Sequence, residues 1–462
     1  MSQVENVLAH VDANLEHSLS RLFDLLKIKS ISTDPEFKDD CRMAAHWLAD
    51  ELTNIGIPSS VRDTSGHPMV VGHKTGEGKK GPHVLFYGHY DVQPVDPIEL
   101  WHADPFEPKV VTRDDGTQMI VARGANDDKG QLMTFVEAMR AWMAVTGDLP
   151  INVTVFLEGE EESGSPSLEP FLEANKEELS QDVALVCDTN MWNRDTPAIS
   201  IMLRGLVGEE ITLKGPSKDL HSGMYGGAAR NPLHVLSEMI AGLRDKNGHI
   251  TLPGFYDDVP ELPQEIKSMW DKLGFNTAEF LGEIGLKQAG GESDRSALEQ
   301  IWSRPTCEVN GLWGGYTGAG FKTVIPAIAQ AKISFRLVGN QNPDKIRSAF
   351  RAYMQEKCPA DFELEFHPHG GDPALQIDIN SPVLENGRKA LADEWQKEAA
   401  LVGSGGSIPV VGSFKDILNM DTMLIGFGLD EDQIHSPNEK YEMQSYHKGI
   451  RSWVRVLDEL AK

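Results

Sequence analysis

The pattern of apolar and polar positions along the chain predicts helices that alternate with short buried strands. Apolar residues recur at helical spacing over residues 3–28, and a second helix is expected over residues 40–55. Further strand-like and helix-like segments are 84–87, 131–145, 153–157, 183–187, 381–396, 422–426 and 444–461. This order predicts an α/β fold with a mainly parallel sheet flanked by helices.

The pattern changes after residue 204, where strands and helices are mixed less regularly. The segments that can be assigned there are a strand at 209–213, a helix at 233–243, a strand at 327–338 and a helix at 343–358. We therefore expect an inserted α+β domain over residues 205–380. The remaining residues, 1–204 and 381–462, would form one α/β domain.

Composition narrows the class of protein. The 462 residues include 43 Lys plus Arg and 70 Asp plus Glu, which gives a formal net charge of −27. A hydrophobic fraction of 40% indicates a globular chain rather than a disordered one. The negative charge argues against nucleic acid and against an anionic membrane surface as partners.

The cysteines and the N-terminal residues indicate in which cellular compartment the protein is expected. The four cysteines are far apart and show no C-x-x-C spacing, which fits a reducing compartment better than a disulfide framework or a structural zinc site. The first ten residues lack the basic and apolar regions of a secretory signal, and apolar runs are too short to cross a bilayer. We expect a cytoplasmic protein.

Candidate metal ligands follow the predicted strands at their carboxyl ends, where ligands of open α/β sheets gather. The residues concerned are His89 and Asp91 after the first strand, Glu158 to Glu162 after the second, Asp188 after the third and His435 after the strand at 422–426. Asp127 and Asp128 lie just before the helix at 131–145. Four strand ends therefore carry groups that bind cations.

Each of these features has a structural explanation when it is taken alone. A His-x-Asp pair is common by chance, a run of glutamates usually forms a solvated face, and Asp127-Asp128 could cap the following helix. His435 could be an ordinary loop histidine. However, glutamates that directly follow a buried strand repel one another and need a cation or shared protons. The conjunction of all these features favours a metal site.

Two histidines with several carboxylates form a nitrogen and oxygen ligand set that suits Zn²⁺, with Mn²⁺ and Co²⁺ as alternatives. The carboxylates are too numerous for one zinc ion, so a two-metal site with one bridging carboxylate is expected. Such a site activates a water molecule and polarises a substrate carbonyl, while a glutamate that is not a ligand can move the proton. The rival signatures H-E-x-x-H and G-x-S-x-G are absent from the sequence.

The chain resembles the cocatalytic dizinc peptidases related to aminoacylase and glutamate carboxypeptidase, within which it is most similar to the carnosine dipeptidase and cytosolic non-specific dipeptidase branch. The matching segments span most of the chain in the family's order: YGHYDVQP (87–94), RGANDDKG (123–130), LEGEEESGS (157–165), KDLHSGMYGG (218–227), KTVIP (322–326), SFRLV (334–338), GGSIPV (405–410) and HSPNEK (435–440).

This resemblance implies roles for the residues at the strand ends. His89 and Asp188 would bind one metal ion, Glu162 and His435 the other, and Asp127 would bridge both. Glu161 would be the general acid/base, and Asp91 would orient His89. The resemblance also implies a cis peptide after Asp127. It assigns no role to Glu160.

The resemblance further implies that the inserted region is a lid and dimerisation domain. His221 would reach the active site of the partner subunit in a homodimer and stabilise the oxyanion. Arg336 and Ser407 would hold the substrate's terminal carboxylate, with Thr323 and Gly406 nearby. A buried arginine in SFRLV is costly without an anion, which favours this role independently.

The leading hypothesis is therefore a two-metal dipeptidase or short-peptide exopeptidase, in which a water molecule activated by two metal ions and Glu161 cleaves the peptide bond. An N-acyl-amino-acid amidohydrolase, such as a deacetylase or desuccinylase, is an alternative on the same scaffold because it breaks the same type of bond. A non-catalytic acidic protein that binds cations is an alternative of another class.

Overall fold

The computed structural model describes residues 2–406 and 408–462. Its strands are β1 Ser59–Arg62, β2 Met69–Lys74, β3 Val84–His89, β4 Lys109–Thr112, β5 Gln118–Val121, β6 Val153–Glu158, β7 Val183–Val186, β8 Ala198–Leu203, β9 Gly205–Lys214, β10 Leu220–His221, β11 Thr306–Gly314, β12 Val324–Ile325, β13 Ile328–Leu337, β14 Glu363–Asp372, β15 Leu375–Gln376, β16 Ala400–Ser404, β17 Asp421–Leu424 and β18 Lys440–Glu442.

Its α-helices are α1 Gln3–Ala13, α2 Leu15–Leu26, α3 Lys38–Asn54, α4 Lys129–Thr146, α5 Leu168–Ala174, α6 Lys176–Leu179, α7 Ser222–Tyr225, α8 Pro232–Ala241, α9 Gln264–Asp271, α10 Thr277–Glu283, α11 Ala297–Trp302, α12 Pro343–Lys357, α13 Pro382–Trp395, α14 Pro409–Asp416 and α15 Met443–Leu460. No helix within the described ranges combines the length and the apolarity that a membrane crossing requires.

Backbone proximity divides the chain into two compact units. Unit 1 comprises Met1–Ile201, Ile377–Val402 and Pro409–Lys462, and unit 2 comprises Met202–Gln376 and Gly403–Ile408. Each unit has its own sheet and its own buried core.

The sheet of unit 1 confirms the predicted α/β fold. Its strands run in the order β1-β2-β6-β3-β7-β17-β8, and the central pairs β3/β6, β3/β7 and β7/β17 are parallel. Helix α4 is buried along most of its length behind this sheet. There Phe135 stacks on Phe86 with ring centroids 3.7 Å apart, and Trp453 of α15 meets Phe135 edge-on at 5.2 Å.

The prediction of one helix over residues 3–28 was wrong in one respect. The segment forms two helices, α1 and α2, because the backbone of Asn14 leaves the helical region with φ −117° and ψ 13°. The side-chain amide of Asn14 donates to the carbonyl of His10 at 2.8 Å, so the side chain competes for a carbonyl at the end of α1.

Unit 2 is built on a four-stranded antiparallel sheet in the order β11-β13-β9-β14. Helices α8 and α12 cover one face of the sheet, where Leu236, Ile333 and Phe350 are among the fully buried side chains. The region 246–306, whose pattern is irregular, contributes the short helices α9, α10 and α11. Such short helices give too few turns for a periodic signal.

Candidate metal centre

Parallel strands bring the predicted ligands of unit 1 to one edge of its sheet. Strand β3 ends at His89, which lies opposite Glu158 at the end of β6, and Tyr87 lies opposite Val186 at the end of β7. The residues that follow these strands, including Glu161, Glu162 and Asp188, therefore start from the same edge.

Asp127 lies between the two predicted histidine ligands. Its Oδ1 is 3.1 Å from Nε2 of His89, and its Oδ2 is 2.9 Å from Nε2 of His435. The His89 side chain is fully buried, whereas that of His435 is 54% exposed. One carboxylate thus faces two different imidazoles, one with each oxygen.

Each histidine has a second carboxylate nearby. Oδ2 of Asp188 lies 4.0 Å from Nε2 of His89, and Oε2 of Glu162 lies 3.2 Å from Nε2 of His435. Two groups of potential ligands result, and within each group the ligand atoms lie within 4.8 Å of one another. Asp127 belongs to both groups.

The electrostatics of these groups fit bound cations. Burial, together with the charge of Asp127, raises the pKa of Asp188 well above its ordinary value. Burial also raises the pKa of Glu161 to about 7, although His89 opposes the shift. Carboxylates are therefore crowded into a buried place where imidazoles offset only part of their charge, and divalent ions would supply further positive charge. One imidazole and two carboxylates in each group form a donor set that suits Zn²⁺ or Mn²⁺.

A third cluster of potential ligands, formed by His249, Glu292 and Asp294, lies in unit 2. It differs from the other two because both oxygens of Glu292 bind the guanidinium of Arg304, at 2.6 and 3.2 Å. The positive charge that this buried carboxylate needs is already supplied by the protein.

A short turn brings the two adjacent glutamates to the same site. Residues Glu161–Ser163 form one 3₁₀ turn, which solves the problem that neighbouring side chains of an extended strand point in opposite directions. The carboxylate of Asp91 accepts the backbone N–H groups of Glu161 and Glu162, at 3.3 and 3.0 Å. Asp91 therefore holds the turn that carries both glutamates.

The structure also places Asp91 next to His89. Nδ1 of His89 lies 3.1 Å from the backbone oxygen of Asp91 and 3.4 Å from its Oδ1. Gln93 was not predicted as a site residue. Its side-chain amide donates to Oε2 of Glu162 at 2.7 Å. The only available signal was its place in the YGHYDVQP segment.

Glu439 was also missed, although it belongs to the quoted HSPNEK segment. Its fully buried carboxylate accepts N–H groups from Arg123, Gly124, Asn126 and Asp127 at 2.8–3.0 Å. These donors surround the loop that presents Asp127, so one side chain fixes the course of that loop.

The peptide between Asp127 and Asp128 is cis, as the resemblance implied. Oδ2 of Asp128 accepts the backbone N–H of His89 at 3.0 Å. The loop that carries Asp127 is thereby joined directly to the end of strand β3.

The remaining predicted site residues lie in unit 2, in two local groups. His221 is exposed on β10 and pairs with Val324, and the neighbouring Ser222 donates its N–H to the carbonyl of Thr323 at 3.0 Å. His221 Nδ1 accepts the N–H of Gly223 at 3.0 Å.

Arg336 forms the second group together with an arginine that the sequence analysis missed. Arg336 is half-buried on β13 opposite Leu206 of β9, and Arg204 lies two residues before Leu206, between β8 and β9. Burial, reinforced by the charge of Arg336, lowers the pKa of Arg204 to about 10. Within the described ranges neither arginine forms an ion pair with a carboxylate.

Arg204 also holds the loop of the predicted substrate residues. Its N–H donates to the carbonyl of Gly406 at 3.2 Å, and its Nε donates to that of Gly405 at 3.1 Å. Ser407, the next predicted residue, lies outside the residues that the structure describes.

Comparison with known proteins agrees with the fold. The model of the peptidase family M20/M25/M40 matches residues 85–459, which is most of the chain. The chain belongs to this family. As an M20 peptidase it is a hydrolase, which confirms the predicted class and removes the non-catalytic alternative.

Relatives match over nearly their whole length. The M20 peptidase is 30% identical to the Cys-Gly metallodipeptidase dug1 of Schizosaccharomyces pombe, over 98% of this chain and 97% of the relative. Among solved structures, it is similar to the M20 family metallo-carboxypeptidase Sso-CP2 from Sulfolobus solfataricus, with 32% identity, a TM-score of 0.81, and 96% and 99% of the two chains covered. Human carnosine dipeptidase 1 gives 26% identity and a TM-score of 0.79, with 100% and 99% covered. These matches confirm the predicted branch.

Loss of the Glu439 carboxylate is expected to weaken metal binding. In Glu439→Gln one oxygen becomes an amide donor that faces N–H groups, so the loop of Asp127 loosens and the affinity for Zn²⁺ falls about 10- to 100-fold. Isothermal titration calorimetry on the metal-depleted protein measures this affinity. The matched control is Glu442→Gln, which removes a buried carboxylate that bonds Arg113 and Lys440. Equal affinities in the two variants would contradict the role of Glu439.

Proposed function

We propose that this M20 peptidase is a dipeptidase that uses two divalent ions. His89 and Asp188 would hold one ion, Glu162 and His435 the other, and Asp127 would be shared between them. The observation that carries the proposal is that the two oxygens of Asp127 face different histidines, at 3.1 and 2.9 Å. Zn²⁺ is the ion that we expect, with Mn²⁺ and Co²⁺ as alternatives.

Bound divalent ions would supply the positive charge that acidifies a water molecule and polarises the scissile carbonyl. Glu161 would accept the proton of the attacking water and deliver it to the departing amine. Two observations support this role. Glu161 belongs to neither ligand group, and Asp91 holds its backbone in the same turn as Glu162. Glu161 is therefore a candidate base that lies close to the proposed ligands and is not itself one of them.

Recognition of the substrate is proposed to depend on its free α-carboxylate. Arg336 would bind the carboxylate, assisted by Thr323, Gly406 and Ser407. The half-buried guanidinium of Arg336 lies near that of Arg204 without an acidic partner in the described residues, and such like charges favour an anion between or beside them. The relatives named as dipeptidases and a carboxypeptidase are consistent with a substrate that ends in a carboxylate.

We further propose a cytoplasmic homodimer that forms through unit 2. Strand β11 is an edge strand of the sheet in that unit and exposes Val309, Leu312 and Trp313. Elsewhere in unit 2, helix α7 exposes Met224, and the segment between β11 and β12 exposes Phe321 by 92%. Apolar side chains in such number on one unit are typical of an interaction surface. In this dimer, His221 would donate to the oxyanion of the partner subunit's substrate. The four unpaired cysteines support a reducing compartment.

Glu161→Gln is expected to lower kcat for a dipeptide by at least about 100-fold, because the amide cannot accept the proton of the attacking water. The Zn²⁺ content, measured by mass spectrometry, should stay unchanged, since Glu161 is not a proposed ligand. Glu173→Gln, which neutralises an exposed glutamate on α5, is the control and should keep full activity. A fully metallated Glu161→Gln with wild-type turnover would rule out the proposed mechanism.

A substrate panel tests the proposed specificity. Dipeptides should be cleaved with a higher kcat/KM than their C-terminal amides and than N-acetyl or N-succinyl amino acids. Arg336→Met should raise KM for dipeptides about 10- to 100-fold by removing a charge-assisted hydrogen bond, and should leave the amides unaffected. Preference for the N-acyl amino acids would favour the amidohydrolase alternative instead.

Subunit mixing tests the proposed role of His221. His221→Ala and Glu161→Gln are each expected to be nearly inactive as homodimers. After exchange of subunits, half of the dimers contain one subunit of each variant. In such a dimer one of the two sites combines an intact Glu161 with an intact His221, so about a quarter of wild-type activity should return. If activity does not return while exchange is demonstrated by differently labelled subunits, His221 does not act across the dimer.

A further inference from the structure

Glu160 is a buried carboxylate beside the catalytic turn that the proposed reaction does not use. It is only 2% exposed, and it directly precedes Glu161. Among the residues that the structure describes, no lysine, arginine or histidine forms an ion pair with it. A buried carboxylate without a cationic partner needs strong hydrogen-bond donors.

Backbone donors from two distant segments satisfy this carboxylate. Oε1 accepts the N–H of His67 at 2.7 Å, and Oε2 accepts the N–H of Ser167 at 3.0 Å. His67 lies in the loop between β1 and β2, whereas Ser167 directly precedes α5. The side chain thus joins two segments that are separated by 100 positions in the chain.

The approach of His67 to the carboxylate depends on the glycine before it. A Cβ atom on Gly66 would overlap with Oε1 of Glu160. The loop is held from its other side as well, because Nε2 of His67 lies 3.0 Å from the carbonyl of Ser32. The loop is therefore positioned so that the N–H of His67 reaches the carboxylate of Glu160.

The backbone of Glu160 closes the turn that carries the catalytic groups. Its carbonyl accepts the N–H groups of Ser163 and Ser165, at 3.1 and 2.8 Å. Asp91 binds the same turn through the N–H groups of Glu161 and Glu162. The turn is consequently fixed at its start by Glu160 and along its first residues by Asp91.

We propose that Glu160 is a positioning residue, which anchors the start of the Glu161–Ser163 turn to the backbone of His67 and Ser167 and so sets the directions of Glu161 and Glu162. This inference rests on the proposed role of Glu161 as the base. Each oxygen of Glu160 accepts a backbone N–H, so the contacts that the structure gives this carboxylate are with the chain itself.

The test compares Glu160→Gln with Gly66→Ala in the Zn²⁺-loaded protein. The glutamine keeps the shape of the side chain but can accept only one of the two N–H groups. The alanine keeps the carboxylate and displaces it from His67. Both variants should lower kcat for a dipeptide about 10-fold or more and change KM less than threefold, because the base is misdirected while the residues proposed to bind the substrate carboxylate are unaltered. The circular dichroism spectrum should match that of the wild type, and kcat is compared at saturating Zn²⁺ because Glu162 is a proposed ligand.

Glu173→Gln on α5 is the control for loss of a negative charge, and it should leave kcat unchanged. Wild-type kcat in folded, metallated Glu160→Gln would overturn the inference, as would a loss of activity that is fully explained by loss of folded protein. An inactive Glu161→Gln alongside a fully active Glu160→Gln would leave the proposed function standing and refute only the positioning role. A fully active Glu161→Gln would refute the proposed function itself.

Discussion

Repulsion between carboxylates at the edge of a parallel sheet is the constraint that the rest of the catalytic unit depends on. Asp127, Glu161, Glu162 and Asp188 are brought together by the ends of β3, β6 and β7 and by the loop before α4. Negative groups at such short distances stay ionised only if opposite charge or oriented donors surround them. The surrounding structure provides the donors, and the proposed metal ions would provide the charge.

The carboxylates of this site fall into two kinds with different partners. Asp127, Glu162 and Asp188 lie near imidazoles and have oxygen atoms available for a cation. Asp91 and Glu439 instead accept backbone N–H groups from the loops that carry the first kind, and Glu160 accepts those of His67 and Ser167. A backbone donor cannot move as a side chain can, so each of these bonds fixes a loop rather than a single group. Asp91, Glu160 and Glu439 are therefore used to build the site.

Unit 2 shows a similar arrangement with the opposite sign of charge. Arg204 and Arg336 lie close together without an acidic partner in the described residues, and Arg204 binds the carbonyls of Gly405 and Gly406. Arg204 shapes a loop, and Arg336 is the residue proposed to bind an anion. Such a pair of arginines suits a peptidase whose substrate ends in a carboxylate, because guanidinium groups bind carboxylates through charge-assisted hydrogen bonds.

Most of the fold could be predicted from the sequence, and so could the candidate ligands that the structure brings together, because both depend on local patterns. Apolar runs indicated β3, β6 and β7, and the polar residues after them indicated His89, Glu162 and Asp188. The break at Asn14 was not predictable, since it depends on a competition between a side chain and the helix for one carbonyl. Gln93, Arg204 and Glu439 were not recognised either, because their partners are remote in the chain or are backbone atoms without a sequence signature.

The sequence by itself determined which residues can bind metal ions, since the types of side chain and their places after strands are written in it. Only the tertiary structure decided how they are held. Glu158, Glu160, Glu161 and Glu162 form one run of like residues, and nothing local distinguishes the buried anchor Glu160 from its neighbours. The difference arises because Gly66 and His67, almost a hundred positions earlier, fold against the carboxylate of Glu160.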